Sequence, residues 1–103
     1  MNIAKMMQAA ATAQKKMAKI QEELAERRIE ATSGGGRVNV TASGTGEILS
    51  IKIAPEVVAP DDVEMLEDLV LSAVRQAIAD AKKLNESEMG KLTAGLGIPG
   101  LPF

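Results

Sequence analysis

The chain has 103 residues and a formal net charge of −2, it contains no Cys, His, Trp or Tyr, and Phe103 is its single aromatic residue. That length suits one domain with a modest core. The missing residue types exclude disulfide and thiolate chemistry, the commonest general base and zinc ligand, and the aromatic platforms on which unstacked bases are held.

No run of about 18 apolar residues is present to cross a bilayer, and no secretory leader is evident, so a soluble, cytoplasmic protein without membrane contact is expected. The charge is unevenly placed. Residues 1–28 carry six Lys/Arg against three Glu, a net of +3, whereas residues 29–103 carry a net of −5. An acidic whole with one basic element favours local rather than global contact with a polyanion.

The first predicted element is a helix from about Asn2 to about Arg27, rich in Ala, Gln, Lys, Met and Glu and free of Gly and Pro. Its apolar residues Ile3, Met6, Ala10, Ala13, Met17, Ile20 and Leu24 follow a three-four spacing and form one narrow stripe, as in a coiled-coil seam. Lys5, Lys15, Lys16 and Lys19 lie on the other side, and no acidic residue precedes Glu22. Lys19–Glu23 and Glu23–Arg27 are candidate i,i+4 pairs. Such a helix spans about 38 Å, against a radius of gyration of about 13 Å for a compact domain of this size. It is therefore expected to project, with a seam that needs a partner, the simplest being a second copy of the chain.

Arg28–Ser33, Arg37–Ser43 and Glu47–Ile53 read as three strands of an antiparallel meander, joined by turns at Gly34-Gly35-Gly36 and Gly44-Thr45-Gly46. Val38, Val40 and Ala42 are expected on the apolar face, with Leu49, Ile51 and Ile53 inward and Ser50 and Lys52 outward. Pro55 ends the third strand. A second helix is expected from Val63 to Leu84, with Asp61 as N-cap and Glu64 at the third helical position. Its apolar set, from Val63 through Leu66, Val70, Ala73 and Ala77 to Leu84, is broad enough to be covered by both the sheet and a partner chain. Lys82 and Lys83 are placed near its C-terminus, where the helix dipole favours cations. Residues 1–90 are read as one domain. Residues 91–103 are read as an apolar Gly/Pro-rich tail, non-helical from Leu92, that docks on the protein's own dimer.

Signals for catalysis are weak. Asp61, Asp62, Glu64, Glu67 and Asp68 are dense enough to suggest a divalent metal, but capping and dipole effects account for them. Ser33-Gly34-Gly35-Gly36 lacks the Lys-Ser/Thr and the following helix of a phosphate-binding loop, and no His is present to activate a Ser or Thr nucleophile. No enzyme activity, cofactor, metal or small-molecule substrate is expected. The unpaired lysine stripe instead suits sequence-blind contact with the phosphates of double-stranded DNA. The alternative is a protein-interaction module whose Met/Ala seam clasps a partner helix.

Several segments, in one order along nearly the whole chain, resemble the YbaB/EbfC family. These are the Lys/Met/Gln-rich opening helix, Ser33-Gly34-Gly35-Gly36 before Val38–Thr41, Ile51-Lys52-Ile53-Ala54-Pro55, Glu64-Met65-Leu66-Glu67-Asp68-Leu69, and Met89-Gly90-Lys91-Leu92-Thr93-Ala94-Gly95-Leu96-Gly97. The resemblance implies an α+β fold in the order α–β–β–β–α and a homodimer with projecting N-terminal helices. It also implies a nucleoid location and DNA binding that alters DNA conformation in nucleoid organisation, gene regulation and DNA protection. The family's DNA contacts map onto Lys5, Lys15, Lys16 and Lys19.

Overall fold

In a computed structural model that describes residues 2–95, two long helices flank a three-stranded sheet. Helix α1 spans Ile3–Glu26, strands β1, β2 and β3 span Arg28–Ser33, Val38–Ser43 and Ile48–Ile53, and helix α2 spans Val63–Gly95. The sheet is antiparallel in the order β1-β2-β3, so the α–β–β–β–α expectation holds. The molecule measures 70 × 24 × 16 Å, an elongated shape set by the helices.

Each element begins where its local chemistry allows. Asn2 caps α1, its Oδ1 accepting from the Ala4 amide at 3.0 Å and the Lys5 amide at 3.4 Å. For α2 the cap is Asp62, one residue later than expected: its Oδ1 accepts from the Met65 amide at 3.3 Å, and Asp61 precedes it. Gly34, Gly35 and Gly36 all have positive φ (59°, 67° and 89°), so the β1–β2 connection uses a backbone that side-chain-bearing residues adopt only at a cost. Ser33 fastens this turn to the helix layer, its hydroxyl donating to the Leu69 carbonyl at 2.6 Å.

The core lies between the sheet and the middle of α2. Ala31, Val38, Val40, Ala42 and Val57 bury against Ala73 and Ala77. The small alanines let the helix axis approach the sheet closely, and Leu66, Leu69, Val70 and Val74 fill the flanks.

Helix α2 crosses β1 and β2 and hardly reaches β3, which corrects the expectation for the third strand. Ile51 and Ile53 pair with Val40 and Val38 and so share their face, yet they are 44% and 39% exposed where the valines are fully buried. Leu49 is not inward. The register shifts beside Thr41 and Ala42, so that Ala42 pairs with Ile48. A bulge changes side-chain parity, and Ile48 takes the place against the core instead.

The end of α2 also differs. The apolar spacing predicts an end at Leu84, and the glycines and prolines predict a non-helical segment from Leu92, but the helix runs unbroken to Gly95. Leu92 and Thr93 are half-buried, and the Thr93 hydroxyl donates to the Met89 carbonyl at 3.1 Å. Lys82 and Lys83 consequently lie inside the helix rather than at its C-terminal dipole. The remainder of the expected tail, residues 96–103, lies outside the described residues.

Candidate nucleic-acid interface

The long last section of α2 turns back alongside α1. Gln21 Nε2 donates to the sulfur of Met89 at 3.8 Å, and Glu88 borders the same cleft as Ile20, Glu23, Leu24 and Arg27. Helix α1 runs toward the sheet and this part of α2 runs away from it, so the two form an antiparallel pair. The proximal part of the α1 seam thus packs against the same chain, with Leu24 fully enclosed. A second copy is not needed to cover it.

Because the proximal seam turns inward, the opposite arc of α1 turns out. At 100° per residue, Lys15, Lys19, Lys5 and Lys16 fall within an arc of about 100°. All four are exposed, and none has an acid within ion-pair distance among the described residues. Neither Lys19–Glu23 nor Glu23–Arg27 closes; the ion pairs among the described residues are Arg37–Glu56 at 3.6 Å and Lys91–Glu88 at 3.1 Å. Lys15, Lys16 and Lys19 cluster within about 6 Å of rise, and Lys5 stands about 15 Å farther toward the tip. Four unneutralised ammonium groups on a rigid rod can each meet a phosphate without reading a base.

Two further cations, read from the sequence only as partners of a helix dipole, lie near the arm. Lys82 and Lys83 are exposed on α2 just before it joins α1. The signal for them was present in Ala81, Leu84, Asn85, Glu88, Met89 and Leu92, a helical spacing that continues past the predicted end.

The carboxylates gather at the other end of α2. Asp61, Asp62, Glu64, Glu67 and Asp68 occupy its cap and first turns, the last of them about 30 Å along the helix from Glu88 and Glu64 about 36 Å. Among the described residues no three acidic side chains converge in the manner of a metal site. A separate groove of about 470 Å³ is wholly apolar, lined by Ile53, Leu66, Val70, Leu71 and Val74 with Glu67 at its border. No described helix is long and apolar enough to cross a membrane.

The YbaB/EbfC DNA-binding family matches residues 1–96. A nucleoid-associated protein of Pelotomaculum thermopropionicum is 49% identical over 100 residues, covering 97% of this chain and 95% of its own. One from Thermoanaerobacter pseudethanolicus is 52% identical over 100 residues, covering 97% and 90%. The crystal structure of an uncharacterized protein from Helicobacter pylori superposes with a TM-score of 0.83 at 18% identity, covering 89% of this chain and 97% of that one. It bears on the fold alone.

Proposed function

The chain belongs to the YbaB/EbfC DNA-binding family, which is not an enzyme family, and we propose that it is a nucleoid-associated protein that grips duplex DNA by its backbone phosphates. The observation that carries this reading is the exposed, unneutralised arc of Lys5, Lys15, Lys16 and Lys19 on the arm formed by α1 and the end of α2. Phosphate contact by ammonium groups needs no aromatic residue and is sequence-blind. The acidic start of α2 repels DNA, so only the arm engages. The nucleoid is the location that follows, with DNA organisation, regulation and protection as consequences of coating and reshaping the duplex.

The working unit in this reading is a homodimer. The apolar groove between α2 and β3 supports it, together with exposed Ile51 and Ile53 on the same face of the sheet and Leu71 on the helix, because monomers rarely expose apolar surface of this kind. Two copies sharing that surface carry two arms, and two anchored arms can impose a bend or spacing on one duplex.

A mobility-shift titration on random duplex at several salt concentrations tests the mechanism. With four of the dimer's eight lysines engaged, log K falls against log salt with a slope of about −3.6, a loss of about 150-fold between 50 and 200 mM. Affinity independent of salt would refute the phosphate mechanism.

A further inference from the structure

We infer that α1 lies across the major groove of a duplex, with Gln8 and Thr12 meeting base edges and conferring a preference for A·T pairs. The inference rests on the phosphate grip proposed above and adds sequence discrimination to it.

The cationic arc is not uniform along the helix. At 100° per residue, Gln8 and Thr12 fall inside the angular range of Lys5, Lys15, Lys16 and Lys19. Both stand between Lys5 and Lys15, and Met6–Gln14 carries no charged side chain. Past Lys19 the same arc turns acidic, with Glu22, Glu23 and Glu26 all exposed. The surface offered to DNA is therefore a neutral polar centre with cations at either end, closed towards the sheet by carboxylates that repel phosphate.

These spacings suit a groove. Lys5 and Lys15 stand about 15 Å apart along the axis, and the major groove is about 12 Å wide. Each ammonium end then meets one of the two phosphate backbones, and the stretch between them lies over the base pairs. A helix fits a groove of that width, whereas the minor groove, at about 6 Å, excludes it.

Gln8 and Thr12 are free to make these contacts. Both are exposed, and neither side chain has a hydrogen-bond partner among the described residues. Ala9 and Ala11 flank the arc with short side chains, so the helix can approach closely. A glutamine carboxamide pairs with adenine through N6 and N7, and a threonine methyl packs on the methyl group of thymine.

The test enriches a random-core duplex library on the full chain, then replaces adenine in the enriched core by 7-deazaadenine, which lacks the N7 acceptor. The expected result is an A·T-rich core whose affinity falls about fivefold on replacement. Gln8→Ala should bind the two duplexes alike, with the salt slope of the wild type, because no phosphate contact is lost. Replacing thymine by deoxyuridine should likewise weaken the wild type and not Thr12→Ser. Salt-dependent binding without enrichment, or an enriched core indifferent to 7-deazaadenine, would overturn the inference and leave the phosphate grip standing. So would a Gln8→Ala protein that keeps the 7-deazaadenine penalty. Absence of any binding to the library would overturn both.

Discussion

The backbone amide of Gly44 stands 2.9 Å from the carbonyl oxygen of Leu24 and donates to it. This bond ties the β2–β3 turn to the last turn of α1, where carbonyls lack partners within the helix. The same oxygen accepts from the Arg27 amide at 3.1 Å. Leu24 is buried beside this bond, so the root of the arm is held by a hydrogen bond and a packed side chain together.

Gly44 is consequently needed for closeness, not for an unusual φ. A Cβ there would lie 2.6 Å from the Leu24 carbonyl oxygen, and backbone cannot yield as a side-chain tip can. Gly44→Ala should destabilise the fold by about 2 kcal/mol, read as a lowered denaturation midpoint. Gly35→Asn tests the contrast. Gly35 has φ 67° with open space around it, and Asn tolerates that conformation, so the cost should stay below about 1 kcal/mol.

Changing Lys15, Lys16 and Lys19 together to Glu should abolish binding to random duplex at 50 mM salt. Helical content and the oligomeric state should be unchanged, because all three side chains point to solvent. Circular dichroism, light scattering and a mobility-shift assay on the same sample check the three statements. A loss of oligomer would place the subunit interface on α1.

Leu71→Asp should yield a folded monomer. The side chain lines the α2–β3 groove and is exposed within one chain, so a carboxylate there is solvated in the monomer and desolvated only on association. Sedimentation equilibrium should show the dimer lost while the thermal transition remains cooperative. The monomer should also bind DNA more weakly, since two linked arms gain by effective concentration.

Asp62→Ala should cost about 1 kcal/mol through loss of the α2 cap, whereas Asp61→Ala should change stability by less than about 0.5 kcal/mol. Chemical denaturation of the two variants separates the cap from its neighbour.

The pattern of these elements explains what could be read before the fold was seen. Val38, Val40 and Ala42 alternate without interruption, so β2 and its buried face follow from period two alone. The lysine arc was legible for a similar reason, since a helix of good formers fixes angular position residue by residue. Leu49 was misplaced because a bulge is a relation between strands, and nothing in Glu47–Ile53 announces it. The end of α2 is placed too early by the sequence because the glycines and prolines of Leu92–Phe103 weigh as helix breakers without the contact of Met89 with Gln21 of α1. The partner of the α1 seam was illegible for the same reason: it is supplied by residues more than sixty positions away, brought there by the length of α2. The lysine sites and the subunit contact are matters of binding, which the binding and assembly measurements above decide.

The separation of charge along α2 has a mechanical side. With ammonium groups on the arm and carboxylates around Asp62–Asp68, the molecule is an electric dipole several tens of ångströms long. In the proposed mode of binding, the field near a duplex would exert a torque that swings the arm inward before any contact forms. With the arm seated, the acidic pole would stand several screening lengths away, at about 8 Å each in physiological salt. It would be screened from the duplex and face the surrounding solution.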